Sequence, residues 1–339
     1  MSTVEFSVII IGGGHAGVEA AWAASSHGVS VGLISFANIG LASCPCNPSI
    51  GGVAKGQVVR EIDALGGLMS IIADLAGIQY RTLNESRGYA VQATRVQVDK
   101  FLYTQYAETV LSQKSNISII KESVSSIDFS DGIYNIEATN GFSYRTSKLI
   151  ITAGTFLRGK IHCGKSVSDG GRIESPASAD FIKTQNNVQI SKKRFKTGTP
   201  ARIDITSINF DQLQEQPSDE QVLNFHYKNY NSKRNLQQIS CFLTRTNEKT
   251  LTIIRENKYE SPIFNGQISG VGPRYCPSIE DKAFRYPEKN DHHIFLEPER
   301  LTSNSVYPNG ISTSLPRYIQ EEFIRSIDGL EQAKIITYG

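Results

Sequence analysis

The chain has 339 residues, 39% hydrophobic and 20% charged, which is the composition of an ordinary globular protein. That length suits about two domains and a core that needs no disulfide staples. With 35 basic and 33 acidic residues the formal charge is +2, which excludes the strongly basic balance that by itself points to nucleic acid.

The first segment, residues 4–11 (VEFSVIII), reads as one buried parallel strand. A glycine turn follows, Gly12-Gly13-Gly14-His15-Ala16-Gly17, then an alanine-rich helix to about His27, with Gly28 suited to end it. Residues 29–34 form the second strand and complete a βαβ unit. A loop of small residues runs from Ser43 to Gly56, and a helix carrying Val58, Val59, Ile62 and Leu65 starts near Gly56. Helical periodicity resumes from Arg95 to Leu111. Strands are expected at 117–120 and 123–129, and a hairpin at 134–138 and 142–145 around Asn140-Gly141. Residues 148–155 read as another buried strand ending at glycine, which places a boundary near 155.

The region 156–315 is less regular. Short strands are expected at 238–244 and 249–254, a basic cluster at Lys192, Lys193, Arg194 and Lys196, and a polar surface excursion at 211–220. Residues 316–330 suit an amphipathic helix with Ile319, Phe323, Ile324 and Ile327, followed by a strand at 333–337. The resulting division is 1–155, 156–315 and 316–339.

The five cysteines are Cys44, Cys46, Cys163, Cys241 and Cys276. Their odd number, with no secretory leader ahead of them, fits a reducing compartment. The apolar run at 8–11 is too short to span a bilayer and lacks the features of a signal peptide. The expectation is therefore a cytoplasmic or organelle-matrix protein with no membrane association.

Three segments carry chemistry. Gly12-x-Gly14-x-x-Gly17 lies between a strand and a helix. The first glycine permits the tight turn, the second lets a pyrophosphate approach, and the third lets helix and strand pack closely. The helix N-terminus then offers free N–H groups and a partial positive charge. The usual acidic residue after the second strand is missing, since Ser35 stands there, so the motif alone leaves NAD and FAD undecided.

The second segment is Ser43-Cys44-Pro45-Cys46-Asn47-Pro48-Ser49-Ile50-Gly51-Gly52. Cys46 is either a nucleophilic or redox thiol, favoured by nearby Lys55 and a following helix start, or a small residue in a tight loop. Such a thiol either adds to C6 of a uracil ring, which makes C5 nucleophilic, or attacks a flavin adduct. Cys44 reads as structural.

The third runs Gly272-Pro273-Arg274-Tyr275-Cys276-Pro277-Ser278-Ile279-Glu280-Asp281-Lys282 and is either a salt-bridged surface turn or a site. His15 reads as structural or solvent-facing, and the adjacent pair His292-His293 gives no metal site.

Taken together, IIIGGGHAGVEAA at 9–21, CNPSIGG at 46–52, KGQVVREIDALGGLM at 55–69, AGIQYRTLN at 76–84, KTGTPARID at 196–204, TNEKT at 246–250, GVGPRYCPSIEDK at 270–282, and IFLEPE and YPNGISTSLP within 294–316 resemble the MnmG/GidA family, nearly end to end and in order. The resemblance implies a Rossmann-type FAD-binding domain with a parallel sheet, of the glutathione-reductase kind, holding an inserted α+β domain that meets NADH.

It further implies a homodimer that works with the GTPase MnmE on the anticodon stem-loop of tRNA. The pair adds an aminomethyl or carboxymethylaminomethyl group at C5 of the wobble uridine, by flavin-mediated transfer of a one-carbon unit from methylenetetrahydrofolate. Carried over by position, Gly12, Gly13, Gly14, His15, Ala16 and Gly17 hold FAD, with Val124 and Ser178 as further contacts. Gly272 to Lys282, with Ala283, Phe284, Arg285 and Tyr286, form the nicotinamide segment, and Cys46 and Cys276 are the reacting thiols.

Gln92 stands where the family commonly has arginine, Tyr89 where it has proline, Arg245 where it has histidine and Arg300 where it has glycine. Family members continue past Gly339 into a further glycine-rich FAD segment and a helical C-terminal domain, so a truncated chain is expected. That keeps a non-catalytic flavin-binding or dimerising remnant open as an alternative. The folate-dependent tRNA uridine-5-methyltransferase relatives are another, against which Ser35 and residues 272–282 argue.

Overall fold

The computed structural model describes residues 3–173, 175, 177–178, 194–221, 224–268, 270, 272 and 277–339. Its first half is a layered α/β unit. β1 (Thr3–Glu5) and β2 (Val8–Ile11) come first, and they belong to different sheets, so the single strand expected over 4–11 is corrected to two. α1 (His15–Ser26) follows, then β3 (Val31–Ser35), β4 (Ser49–Gly51), α2 (Lys55–Ala64), α3 (Met69–Ala76), β5 (Gly77–Leu83), β6 (Ala93–Val98) and α4 (Lys100–Ser112).

The helix expected from Arg95 therefore starts at Lys100. Residues 93–98 are buried strand, and Asp99 ends it by accepting from the Phe101 and Leu102 N–H groups as N-cap. β7 (Ile117–Lys121), β8 (Val124–Ser130), β9 (Ile133–Ala138), β10 (Ser143–Thr146) and β11 (Leu149–Ile151) complete the unit.

β11-β2-β3-β7 form an all-parallel sheet. Alternation of side chains gives it two buried faces. Ile10, Val31 and Leu33 pack with α1 and α4, while Ile9, Ile11 and Ile34 pack on Ile127, Ile136 and Tyr144 of the sheet β1-β10-β9-β8. β11 is the outer strand of its sheet. That position leaves Ile150 and Ile151 each 38% exposed, where full burial was expected.

The second half is built on an antiparallel sheet. Its elements are β12 (Lys160–Cys163), β13 (Ser166–Asp169), β14 (Arg202–Asp204), β15 (Gln214–Gln216), β16 (Cys241–Arg245), α5 (Glu248–Glu256), α6 (Ile279–Arg285), β17 (His293–Pro298), β18 (Ser305–Asn309), α7 (Arg317–Ile324) and β19 (Ile335–Thr337). β15-β16-β17-β18-β14-β19 make one sheet, covered by α5, α6 and α7 through Leu251, Ile254, Ile279, Ile319 and Phe323.

Residues 249–254 are helical rather than extended. Asn247 and Thr250 form a reciprocal capping box, and Leu251 and Ile254 fall on one buried face, so a β-branched stretch becomes helix. The helix expected over 316–330 stops at Ile324. Ile327 reaches the core instead through successive turns that end at Gly329, φ +82°.

The two halves meet through β6. Arg95 pairs with Glu297 out of solvent, and the Gln97 amide donates to the Pro298 carbonyl at 2.7 Å. The Asp99 carboxylate also accepts the Leu301 N–H at 2.9 Å.

Candidate functional site: a glycine turn and a cysteine loop

The parallel sheet reverses its strand order at β2, which has β3 and β7 on one side and β11 on the other. Ligands of open α/β sheets bind at such a reversal, outside the carboxyl ends of the strands. The glycine turn sits there. Gly12 has φ +113°, and a Cβ on it would lie 2.3 Å from the Thr152 carbonyl oxygen. A Cβ on Gly17 would lie 1.8 Å from the Gly12 oxygen, so this glycine lets α1 press onto the turn. Gly13 is hemmed in by the Ser35 hydroxyl and Leu41.

Gly14 differs, because nothing lies within 4 Å of where its Cβ would be. It is also the N-cap of α1, with no side-chain cap and no acidic residue in the first turn. An open approach to uncapped N–H groups is what a diphosphate requires. Thr152, beyond β11, holds the turn by donating from its hydroxyl to the Gly12 carbonyl at 2.9 Å.

Ser35 is buried at the end of β3 and touches the turn, so no carboxylate faces a ribose from that position. Val124 is buried just past β7, whose last residue Lys121 pairs with Ser35. Ser178 lies on the other flank, its N–H donating to the Phe156 carbonyl at 2.9 Å. Val124 thus follows the carboxyl end of β7 in the chain, and Ser178 bonds to the segment that follows β11.

His15 does not offer the turn a cation. Burial pushes its imidazole down to about 4, and its ring faces the Cys44 sulfur at 3.8 Å and the Tyr103 ring. Burial likewise pushes the Cys44 thiol up to about 12.

After α1 and β3 the chain comes back to the turn as the cysteine loop begins, where the Ala42 N–H donates to the Gly13 carbonyl at 2.8 Å. Arg172 donates to the Ser43 hydroxyl at 3.1 Å. Cys46 is half-buried. Its sulfur lies 3.1 Å from the Tyr307 hydroxyl on β18 and 3.6 Å from the Gly198 carbonyl. Arg202 of β14 holds the loop, donating to the Pro45 and Cys46 carbonyls at 3.0 and 3.4 Å, with its guanidinium 4.7 Å over the Tyr307 ring. Glu299 orients Arg202 at 3.2 Å and also accepts from Lys100 at 2.7 Å. Burial opposes ionisation of Glu299, but Lys100 and Arg202 outweigh it and hold the carboxyl below the usual range. Lys55 is exposed at the start of α2.

Arg172, Arg202 and Tyr307 escaped the sequence reading. For Arg202 and Tyr307 the available signal was their place in KTGTPARID and YPNGISTSLP, whose composition names no chemistry.

In the third segment Pro273, Arg274, Tyr275 and Cys276 lie outside the described residues, as do Lys192 and Lys193 of the basic cluster. Gly272 lies against the Lys196 side chain, and Pro277 leads into α6. Ser278 and Asp281 form a capping box there, and Asp281 also pairs with Lys196 at 2.7 Å. Ile279 and Ala283 enter the core, and Lys282 donates to the Gly310 carbonyl at 2.7 Å. Glu280 is fully buried, and burial raises its carboxyl above the ordinary range. Phe284 packs edge-on against Phe264, and Arg285 and Tyr286 face outward.

Three of the four unusual positions have side-chain partners, and the fourth faces solvent. Gln92 donates to the Glu85 carbonyl, Arg245 pairs with Asp291, Arg300 stacks over Phe101, and Tyr89 is 92% exposed. A cleft of about 360 Å³ on the second sheet, lined by Ile205, Phe210, Phe242, Leu296 and Arg300 among others, involves neither the turn nor the loop.

A parallel sheet with a glycine turn at its order reversal defines the dinucleotide-binding class of α/β proteins. Within that class the chain belongs to the glucose inhibited division protein A (GidA) family, whose model matches residues 7–339. Two crystal forms of GidA from Aquifex aeolicus are similar to it. One has a TM-score of 0.91 at 42% identity, covering 98% of this chain and 57% of that one. The other has a TM-score of 0.89 at 40% identity, covering 98% and 54%. The chain therefore spans little more than half the length of these relatives. Among the described residues no helix is long and apolar enough to cross a membrane.

Proposed function

We propose that this chain is the flavin-binding and thiol-bearing part of an enzyme that modifies C5 of the wobble uridine in tRNA. Family membership supports the reaction class. The observation that carries the cofactor assignment is the open approach to Gly14 at the uncapped start of α1. Bound there, FAD reduced by NADH would carry the one-carbon unit of methylenetetrahydrofolate as an electrophilic methylene, with no net change in that carbon's oxidation level.

The chain's own part is binding, positioning and nucleophilic activation. First-turn amides of α1 hold the diphosphate, and Thr152 fixes the turn. Cys46, as thiolate, adds to C6 of the uracil ring. The new S–C bond places the former C5–C6 π pair in an enolate spanning C5 and O4, and C5 then attacks the one-carbon electrophile. Loss of the C5 proton and expulsion of the thiolate restore the ring. Residues 272–286 are proposed to face NADH, with Cys276 as a second thiol. We further propose a homodimer working with the GTPase MnmE in the cytoplasm or an organelle matrix.

The test is spectroscopic. Purified chain is expected to carry yellow flavin absorbance that bleaches when NADH is added without oxygen. Flavin that binds but resists NADH would favour a binding remnant, and a chain that takes up no flavin would overturn the reading.

A further inference from the structure

We infer that the Tyr307 hydroxyl is the hydrogen-bond donor that stabilises the Cys46 sulfur as a thiolate, while Arg202 fixes the loop that presents it. This rests on the reading of Cys46 as the reacting thiol. The sulfur and the hydroxyl are 3.1 Å apart, within hydrogen-bond reach, and Tyr307 is only 2% exposed. A buried tyrosine hydroxyl is placed by its partners, because water cannot serve it. The Gly198 carbonyl, at 3.6 Å, can accept only from a protonated thiol. The tyrosine hydroxyl can donate to sulfur in both states, and donates more strongly to the anion. Of the two hydrogen-bonding neighbours of the sulfur among the described residues, therefore, one favours thiol and the other thiolate.

The rest of the surroundings are ordered to keep this contact. Arg202 grips the Pro45 and Cys46 carbonyls and covers the Tyr307 ring, so the loop and the donor share one anchor. Among the described residues, the charged groups tied to this loop are Arg202 from β14, which bonds the Cys46 carbonyl, and Glu299 after β17, which holds Arg202 and also accepts from Lys100; Cys44 lies two residues away. Cys44 makes the contrast. Two residues away, its sulfur has the Ala42 carbonyl and the His15 ring as neighbours, and it stays a thiol.

The experiment is alkylation of the whole chain with iodoacetamide across pH, with each cysteine's rate read by peptide mass spectrometry. In Tyr307→Phe the ring still packs and only the donor is lost. The expected result is about a tenfold slower reaction of Cys46 near neutral pH, with the midpoint of its rate profile moved about one unit to higher pH. Half-buried Cys163 serves as the internal reference and stays unchanged. Arg202→Lys keeps the charge but loses the fork, and is expected to lower the rate without moving the midpoint.

An unchanged or faster Cys46 profile in Tyr307→Phe overturns the inference, since the hydroxyl is then only a shield. Protection of buried Cys241 reports whether the variant is folded. If it is not, the unaltered chain decides: Cys46 must react faster than Cys163 at neutral pH, and a slower Cys46 overturns the inference. Alkylation requires neither flavin nor RNA, so a chain without turnover still answers the question, and failure to bind flavin is a separate result.

Discussion

In the glycine turn the decisive contacts are between backbone atoms of neighbouring elements. A Cβ on Gly17 meets the Gly12 oxygen, and one on Gly12 meets the Thr152 carbonyl. In the adjoining cysteine loop they are made by side chains brought from far away in sequence, Tyr307 to the Cys46 sulfur across 261 positions and Arg202 to the Cys46 carbonyl across 156. A backbone site tolerates only substitutions that respect its free space. A side-chain site depends on whether the two halves of the molecule stay docked. Substitutions that separate these two sensitivities test the comparison.

The largest expected effect is on docking. Glu297→Gln leaves the Arg95 guanidinium buried without its counter-charge, and is expected to cost about 3–5 kcal/mol in urea unfolding. A loss below about 1 kcal/mol would show that the halves are held by other means.

The next concerns acid. The His15 imidazole is depressed by burial from 6.5 to about 4, so between those values the unfolded chain binds a proton that the folded chain refuses. Stability from this group is complete above about 6.5 and is lost toward pH 4, by about 3 kcal/mol. Asp74 acts the other way. Burial raises its carboxyl from 3.8 to about 6, so its contribution falls as pH rises through that window. The two partly cancel. His15→Asn removes the first contribution and leaves the second, so that unfolding midpoints in urea are expected to gain less between pH 4.5 and 6 in the variant than in the unaltered chain.

Smaller still is Gly17→Ala, where the added methyl must displace the Gly12 carbonyl. Overpacking of this kind costs about 1–3 kcal/mol, and the calorimetric melting temperature is expected to fall accordingly.

These differences also explain what was readable in the sequence. The βαβ unit and its glycines were, because strand, turn and helix are consecutive and the glycine spacing belongs to that one turn, where Gly17 meets the Gly12 carbonyl and Gly14 stays open. The helix at 248–256 was misread as strand because Thr250, Thr252, Ile253 and Ile254 look extended, while the deciding signal was the Asn247 cap. The strand at 93–98 was absorbed into a helix because periodicity cannot reveal that Asp99 restarts the chain. Cys46 was legible as a candidate, but its partners were not. Nothing local in KTGTPARID or YPNGIST announces that Arg202 and Tyr307 converge on one loop, since only the docking of the second sheet brings them there.

The glycine turn is best tested where steric space and affinity separate. Gly14 has an ordinary φ of −70° and open space at its Cβ, so Gly14→Ala is expected to change stability by less than about 0.5 kcal/mol. The methyl nevertheless stands where a diphosphate would approach. Titrating FAD with the unaltered chain and with Gly14→Ala, by quenching of flavin fluorescence, decides the matter. The account predicts saturable quenching by the first and at least about tenfold weaker binding by the second, both melting together. Equal affinity in the two, or no quenching by the unaltered chain, would contradict it.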